Sequence, residues 1–490
     1  MASAAHTVWA RKVDKKAMGS RTNTVVEAIR GRIAARALVA GDRLPSIRGL
    51  AASLGVSPST VVEAYERLAA EGLVRARPGS GVFVARTAAP LPLPASSGHA
   101  ERAIDPFWVS RQALDADPGA SKPGCGWLPP EWLPTDAIRR ALRKAARADE
   151  ATLTDYGSSH GSLPLRRLLA RQFAGEGLDI GPDAILLTAS GTQGLDLVCR
   201  LLLRPGDTVL VDDPCYFNFR ALLAAHRVAV AGVPMTPAGP DAARFTELAA
   251  QHRPRLYVTN SAIHNPTGAS LSPAVAHRIL AAASQHEMTI VEDEIFSDFE
   301  PEPSPRLAAL DGLERVLRIG SFSKTLSASV RCGFIAARPD WIEALRDLQI
   351  ATSFSAAGPL GAAIVHELLS EGGYRRHMDA LRRRLSQARR DVGERLEALG
   401  FTLWTVPRGG FNLWCELPEG RDAAALARRA LEDGVVLAPG DVFSPSHGAG
   451  TFMRFNVAQM SDERVWSALA SGLAPPAASG QPAARCSPPP

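Results

Sequence analysis

The run Val316-Leu317-Arg318-Ile319-Gly320-Ser321-Phe322-Ser323-Lys324 is an apolar strand signal that ends in two serines and a lysine. A short apolar run of this kind reads as a strand buried on both faces. Sheets built from such strands place ligands beyond the carboxyl ends of the strands, and Lys324 stands just past this one. Lys324 is also the only lysine after Lys144, in a chain with six lysines against 49 arginines. Where positive charge is supplied almost wholly as arginine, a solitary lysine points to chemistry that arginine cannot do. A guanidinium stays protonated, whereas an amine that loses its proton attacks a carbonyl.

Outward from Lys324, short apolar runs recur at 184–188, 208–212, 256–259, 289–291 and 333–336, with helical segments such as 194–203 and 273–283 between them. Strands alternating with helices predict an α/β fold with a mostly parallel sheet covered on both faces. Polar residues fall at the expected strand ends in chain order: Ser190-Gly191-Thr192, Asp213-Pro214-Cys215-Tyr216, Asn260, Asn265-Pro266-Thr267-Gly268, Asp293-Glu294 and Ser321-Phe322-Ser323-Lys324. Each type fits one part of pyridoxal phosphate (PLP). Ser190, Gly191 and Thr192 open a helix, whose free N–H groups and dipole suit a phosphate. Ser321 and Ser323 add hydroxyl donors, and Arg331 adds a charged fork. Tyr216 offers an aromatic face for the ring. Asp293 suits the ring nitrogen, and Asn265 the ring 3′ oxygen. Lys324 is the candidate for the Schiff base, and Arg454, in Met453-Arg454-Phe455-Asn456, suits a substrate carboxylate.

The first 87 residues have a different character. The net charge of the chain is +5, yet residues 1–20 sum to +3 and residues 21–87 to +5, so the remainder sums to −3. This asymmetry points to a polyanion partner for the N-terminal segment. Val25, Ile29, Ile33 and Ala37 predict a helix over 22–37. Ser46 caps a second helix carrying Ile47, Leu50, Ala51 and Leu54, with Gly55 at its end. Ser57 caps a third, with Pro58 at its first position, burying Val61, Tyr65 and Leu68. Leu73-Val74 and Val82-Phe83-Val84 flank Arg77-Pro78-Gly79-Ser80-Gly81 as a two-stranded wing with a turn at its tip. Arg43 and Arg48 suit phosphate or guanine, and the hydroxyls of Ser57, Ser59 and Thr60 suit phosphate or base edges.

Between and beyond these parts the pattern stops. Residues 88–103 hold Pro90, Pro92 and Pro94 without apolar period and predict a tether. Residues 474–490 predict a disordered tail. There is no apolar stretch of membrane length and no export signal, and the six cysteines lack metal-ligand spacing. We therefore expect reduced thiols, a cytoplasmic location, and neither a metal nor a membrane partner.

Residues 21–87 resemble the GntR-type winged helix-turn-helix. The matching positions are Gly41-Asp42-Arg43-Leu44-Pro45-Ser46-Ile47-Arg48, Leu50-Ala51, Gly55-Val56-Ser57, Thr60-Val61, Ala64-Tyr65, Leu68, Gly72 and Gly79-Ser80-Gly81. The resemblance implies a double-stranded DNA operator, with the third helix in the major groove, the wing at the minor groove and Arg48 on DNA. Many members carry arginine where this chain has Pro58, so the target sequence does not carry over. Residues 125–473 resemble fold-type I, class I/II aminotransferases through Tyr156-Gly157, Leu165-Arg166, Ser190-Gly191-Thr192-Gln193, Tyr216, Asn265-Pro266-Thr267-Gly268, Asp293, Ser323-Lys324, Arg331 and Arg454. The whole chain is similar to MocR-type regulators.

These resemblances imply a PLP-binding domain over 104–473 with a smaller C-terminal α/β subdomain, and a head-to-tail homodimer in which Tyr156 reaches the partner's PLP phosphate. They also imply a small amino-compound effector that displaces Lys324 as an external aldimine. Many relatives have tyrosine where this chain has Phe296, whose missing hydroxyl removes a donor to the ring 3′ oxygen. One such hydrogen bond is worth about 1–3 kcal/mol, or roughly 10- to 100-fold in rate. That favours a sensor over a fast transaminase. An aminotransferase that also binds DNA remains the alternative, and a scaffold without PLP is disfavoured by the near-complete cofactor set.

Overall fold

The computed structural model describes residues 21–35, 37–85, 105–117, 119–355 and 357–474. The chain divides into two compact units, 1–101 and 102–490. The expected tether at 88–103, and the expected tail apart from Ala474, lie outside the described residues.

The first unit contains α1 (Arg21–Ala34), α2 (Ile47–Leu54) and α3 (Pro58–Ala70), then β1 (Val74–Arg77) paired antiparallel with β2 (Gly81–Val84). Ser46 Oγ accepts from Gly49 N at 3.1 Å and Ser57 Oγ from Thr60 N at 3.2 Å, so both expected caps form. Gly55 ends α2 at φ 65°. Val25, Ile29, Leu50, Val61 and Leu68 build one buried core, and Tyr65 joins it while its hydroxyl donates to Pro45 O at 2.8 Å. One expectation is corrected: α1 stops at Ala34, and Ala37 lies outside it, exposed. The N–H groups of Ala37 and Leu38 both turn back to Arg32 O. Leu38 packs against the core, which the single methyl of Ala37 cannot replace.

The second unit is built on an eight-stranded sheet. Its strands are β3 (Ile185–Thr188), β4 (Thr208–Asp213), β5 (Ala229–Thr236), β6 (Gly239–Pro240), β7 (Leu256–Thr259), β8 (Thr289–Asp293), β9 (Val316–Ser321) and β10 (Gly333–Ala336). The spatial order is β3-β10-β9-β8-β7-β4-β5-β6. Strands β5, β4, β7, β8 and β9 pair in parallel, whereas β10 runs against both neighbours. Alternate residues of each strand enter two separate apolar layers. Leu187, Leu210, Tyr257 and Ile290 face one, and Leu186, Val209, Val258 and Val291 face the other. Strands covered on both sides read as continuous apolar runs for this reason. Ala184, expected in β3, instead closes a 3-10 turn before it.

A smaller antiparallel sheet follows, of β11 (Thr402–Leu403), β12 (Asn412–Glu416), β13 (Ala438–Pro439) and β14 (Phe452–Asn456), in the order β11-β12-β14-β13. It carries its own apolar core with the long helix Gly373–Ala398. This is the smaller C-terminal α/β subdomain expected from the sequence.

Candidate functional site

The carboxyl ends of β3, β4, β7, β8 and β9 meet along one edge of the large sheet and deliver Ser190, Tyr216, Asn260, Asp293 and Lys324 there. Antiparallel β10 brings its amino end to the same edge, because Gly333 pairs with both Thr188 and Ser321. Arg331 is thereby set beside the serines. A side chain at position 333 would place its Cβ 2.7 Å from Gly320 O and 2.9 Å from the Ser190 carbonyl carbon. The close approach requires glycine. From the small subdomain, β14 contributes Arg454, whose Nη1 donates to Asn265 Oδ1 at 2.9 Å and Nη2 to Gly124 O at 2.7 Å.

Together these residues line one cavity of about 420 Å³. It collects Ser190, Gly191, Thr192, Tyr216, Asn265, Asp293, Ser321, Ser323, Lys324, Arg331 and Arg454, every expected cofactor and carboxylate residue except Tyr156. Ser190 caps the helix Gly191–Leu202 by accepting from Gln193 N at 3.1 Å. The N–H groups of Gly191 and Thr192 have no intrahelical acceptor, as in any first turn. Ser321 Oγ donates to Ser323 Oγ at 3.2 Å and is itself the acceptor for Ser323 N. Phe296 also lines the cavity and is buried, with its ring against Phe299 and Phe411.

The electrostatics are those of a dry site. Burial pulls the Lys324 amine down to about 8, with Arg454 lowering it further and Cys125 and Asp293 opposing. Burial pushes the Asp293 carboxyl up to about 6, against the hydrogen bonds from Ile295 N and Asn260 and the charge of Lys324. Arg454 is 1% exposed, and burial brings its guanidinium down to about 10. Its Nε and Asn260 Oδ1 are buried without hydrogen-bond partners among the described residues.

The second candidate face lies on the first unit. Arg43, Ser46, Arg48, Ser57, Ser59, Gly79, Ser80 and Gly81 are exposed and Thr60 is half-buried. Ser57 Oγ lies 2.8 Å from both Ser59 Oγ and Thr60 Oγ1, which gathers three hydroxyls at the start of α3. Gly81, at φ 110°, leaves room for Arg43, whose Nε would lie 3.0 Å from a Cβ there. Arg43 therefore lies over the wing.

Residues 131–471 match the family described as aminotransferase class I and II. The chain belongs to that family. Residues 21–84 match the gntR family of bacterial regulatory proteins. The chain is 31% identical to the uncharacterized HTH-type transcriptional regulator YdcR of Escherichia coli, over 91% of this chain and 96% of that one. It is also 31% identical to the HTH-type transcriptional regulator TauR of Rhodobacter capsulatus, over 84% and 88%. Among solved structures it resembles LysN, the alpha-aminoadipate aminotransferase of Thermus thermophilus, complexed with N-(5′-phosphopyridoxyl)-L-leucine. That match has a TM-score of 0.66 at 27% identity and covers 74% of this chain and 92% of LysN.

In the aminotransferase domain, Tyr156 stands apart from the cavity. It is 64% exposed, with its ring 4.8 Å from the equally exposed Phe354. Sequence reasoning missed one wall of the cavity altogether. Val109, Ser110, Ala113 and Leu114, on α4 (Pro106–Asp115), line it together with Cys125, Gly126 and Trp127. The available signal was Asp105 as a helix cap, with Val109 and Ala113 one turn apart.

Proposed function

We propose that the chain is a transcription regulator that holds pyridoxal phosphate on Lys324, senses an amino compound there, and binds DNA through residues 21–87. The observation that carries this reading is the meeting of Lys324, Asp293 and Arg454 with a helix N-terminus in one cavity, in a chain whose first unit exposes Arg43, Arg48 and a hydroxyl cluster. Fold and gntR-family match support the regulator; the sensing step is our inference.

The residues present fit the cofactor. The first turn at Gly191, with Ser321, Ser323 and Arg331, supplies donors of the kind that hold a phosphate. Asn260 Oδ1 and Arg454 Nε are buried polar atoms that await a partner. Gly126 keeps a gap clear between the two cations, since a Cβ there would lie 3.7 Å from Arg454 Nη2 and 3.9 Å from Lys324 Nζ. PLP, when bound, supplies a reactive carbonyl carbon and an electron-withdrawing ring. Asp293, whose carboxyl is pushed up to about 6, would hold a proton on the ring nitrogen. With its pKa lowered to about 8 by burial, Lys324 presents the neutral amine at pH 7 far more readily than a solvated lysine. Tyr216 would pack against the ring, and Arg454 would hold a carboxylate. A head-to-tail second copy would bring Tyr156 to its neighbour's phosphate; the exposed pair of Tyr156 and Phe354 is of the kind subunit interfaces bury.

The test is an absorbance titration of the PLP-loaded protein with amino acids and amines, with and without a keto-acid acceptor. We expect one class of amine to shift the band without turnover and to change DNA affinity. Steady product formation would favour the second reading, an active aminotransferase, which the lowered Lys324 pKa supports and the missing hydroxyl at Phe296 opposes. A protein that takes up no PLP would overturn both readings.

A further inference from the structure

Glu292 and Glu294 flank Asp293 in the chain, and both are buried. Both reach Ser261, which follows Asn260 just past the end of β7. Ser261 Oγ lies 2.5 Å from Glu292 Oε1 and 2.9 Å from Glu294 Oε1. A hydroxyl carries one proton. Given to Glu292, that proton leaves Glu294 Oε1 facing a hydroxyl oxygen, a contact that attracts when Glu294 itself brings a proton. Glu292 is otherwise held by donors alone. Leu307 N donates to its Oε1 at 2.7 Å and Ala308 N to its Oε2 at 2.8 Å, from the start of the helix Leu307–Asp311. The second proton therefore falls to Glu294.

The charges around it agree. Glu292, Glu294, Glu300 and Glu176 meet two guanidiniums, Arg306 and Arg318, and all but Glu176 are buried. Arg306 Nη2 lies 2.6 Å from Glu300 Oε2, and Arg318 Nη1 lies 2.7 Å from Glu176 Oε2. Glu294 Oε2 shares what remains, with Arg306 Nε at 2.6 Å and Arg318 Nη2 at 3.4 Å. A further carboxyl, Asp298, shares the field of Glu176 and Arg318 and accepts from the Tyr374 hydroxyl. An uncompensated buried charge is strongly unfavourable, and of two carboxyls sharing one site one keeps its proton. Burial pushes the Glu294 carboxyl up to about 8, with Arg306 and Arg318 opposing and Glu292 and Glu176 adding to the rise.

We propose that Glu294 is kept as an uncharged carboxylic acid, and that the chain from its proton through Ser261 to Glu292 positions Asn260 and Asp293 for the cofactor. Ser261 is the link. Its neighbour Asn260 lines the cavity, and Asn260 Nδ2 donates to Asp293 O at 3.1 Å. The chain thus ties the end of β7 to the end of β8 where both deliver cavity residues. The charge state of Glu294 stands on the cluster alone, whereas the positioning role rests on the reading of Asp293 as the partner of the ring nitrogen.

The experiment follows the infrared carbonyl stretch of protonated carboxyls in PLP-loaded full-length protein from about pH 6 to about pH 9, in the wild type, Glu294→Gln and Ser261→Ala. We expect a stretch that Glu294→Gln removes and that fades in the wild type as pH rises through about 8. Ser261→Ala should keep this stretch and move it to higher frequency, because the acid loses its acceptor. No stretch, or one that neither variant alters, overturns the proposal. The fold favours the protonated form, so the stability tied to it is whole below the ordinary value of 4.5 and is lost as pH rises through about 8. The wild-type melting temperature should therefore fall by a few degrees relative to Glu294→Gln over the same range, and parallel curves overturn the assignment. For the positioning role, the pH midpoint of the cofactor band should shift in Ser261→Ala and hold in Glu294→Gln, whose side chain is uncharged and of the same shape. A midpoint indifferent to Ser261→Ala defeats that role alone. If no PLP is taken up, the reading of Asp293 fails, and the stretch in the unloaded protein still decides Glu294.

Discussion

Arg454 and Arg48 carry the same guanidinium into opposite surroundings. Arg454 is buried over the Phe443 ring, and its hydrogen-bond acceptors among the described residues are Asn265 Oδ1 and the Gly124 carbonyl, with no carboxylate. Its charge is kept at a desolvation cost that a ligand anion would relieve. Arg48 is exposed, where an ion contact is worth little by itself and is screened within about 10 Å at 0.1 M salt. The difference teaches how the two units must work. Under the proposed function the cavity would depend on single residues whose loss is decisive, and the DNA face would work by summing contacts, each weak and each sensitive to salt.

The comparison can be broken most sharply at Lys324. Lys324→Ala should abolish the absorption band at about 420 nm that marks PLP on a lysine, while circular dichroism and low-salt DNA binding persist. A band that survives would remove Lys324 from the site. Arg454→Leu comes next. It deletes charge-assisted hydrogen bonds worth about 2–3 kcal/mol, so amino-acid affinity should fall roughly 30- to 150-fold with the band retained. An unchanged dissociation constant would mean that the carboxylate sits elsewhere.

Smaller effects sharpen the contrast. Arg48→Ala should weaken DNA binding about 10-fold and lower the slope of log affinity against log salt by about 1, without altering the spectrum. A loss confined to one operator sequence would instead point to base readout. The pH dependence of PLP capture is the mildest. Because burial depresses the Lys324 pKa to about 8, the reactive neutral amine grows as pH rises through that value. Capture should accelerate about five-fold between pH 7 and pH 8 and level off above pH 9. A rate still climbing towards pH 10 would mean an amine with the pKa of a solvated lysine.

The site was largely legible because its residues stand at the ends of strong apolar runs. Lys324 after β9, Asp293 at the end of β8 and Ser190 after β3 could each be placed from the chain alone. Arg331 and Arg454 were named for their side-chain chemistry rather than from a strand end, and the antiparallel course of β10 and the crossing of β14 explain why they arrive. Six strands escaped notice: β5 mixes alanine, glycine and proline with valine, and β6, β11 and β13 are two residues each, whereas β12 and β14 are five-residue apolar strands that were passed over. α1 was drawn too long because Ala37 matched the helical period, yet Leu38 held the core contact.

α4 marks the limit of sequence reading. Its ten residues precede the alternating pattern, and its function in the cavity depends on Val109 meeting Phe217, Trp414, Ala438 and Phe443, residues 108 or more positions away. The chain by itself determined the two units, the strand-end chemistry and the charge asymmetry, because periodicity, capping and residue type are local properties. Only the tertiary structure decided that α4 lines the cavity and that Arg454 is left buried without a carboxylate. Both follow from which distant surfaces pack together, and burial is what lowers the pKa values of Lys324 and Arg454.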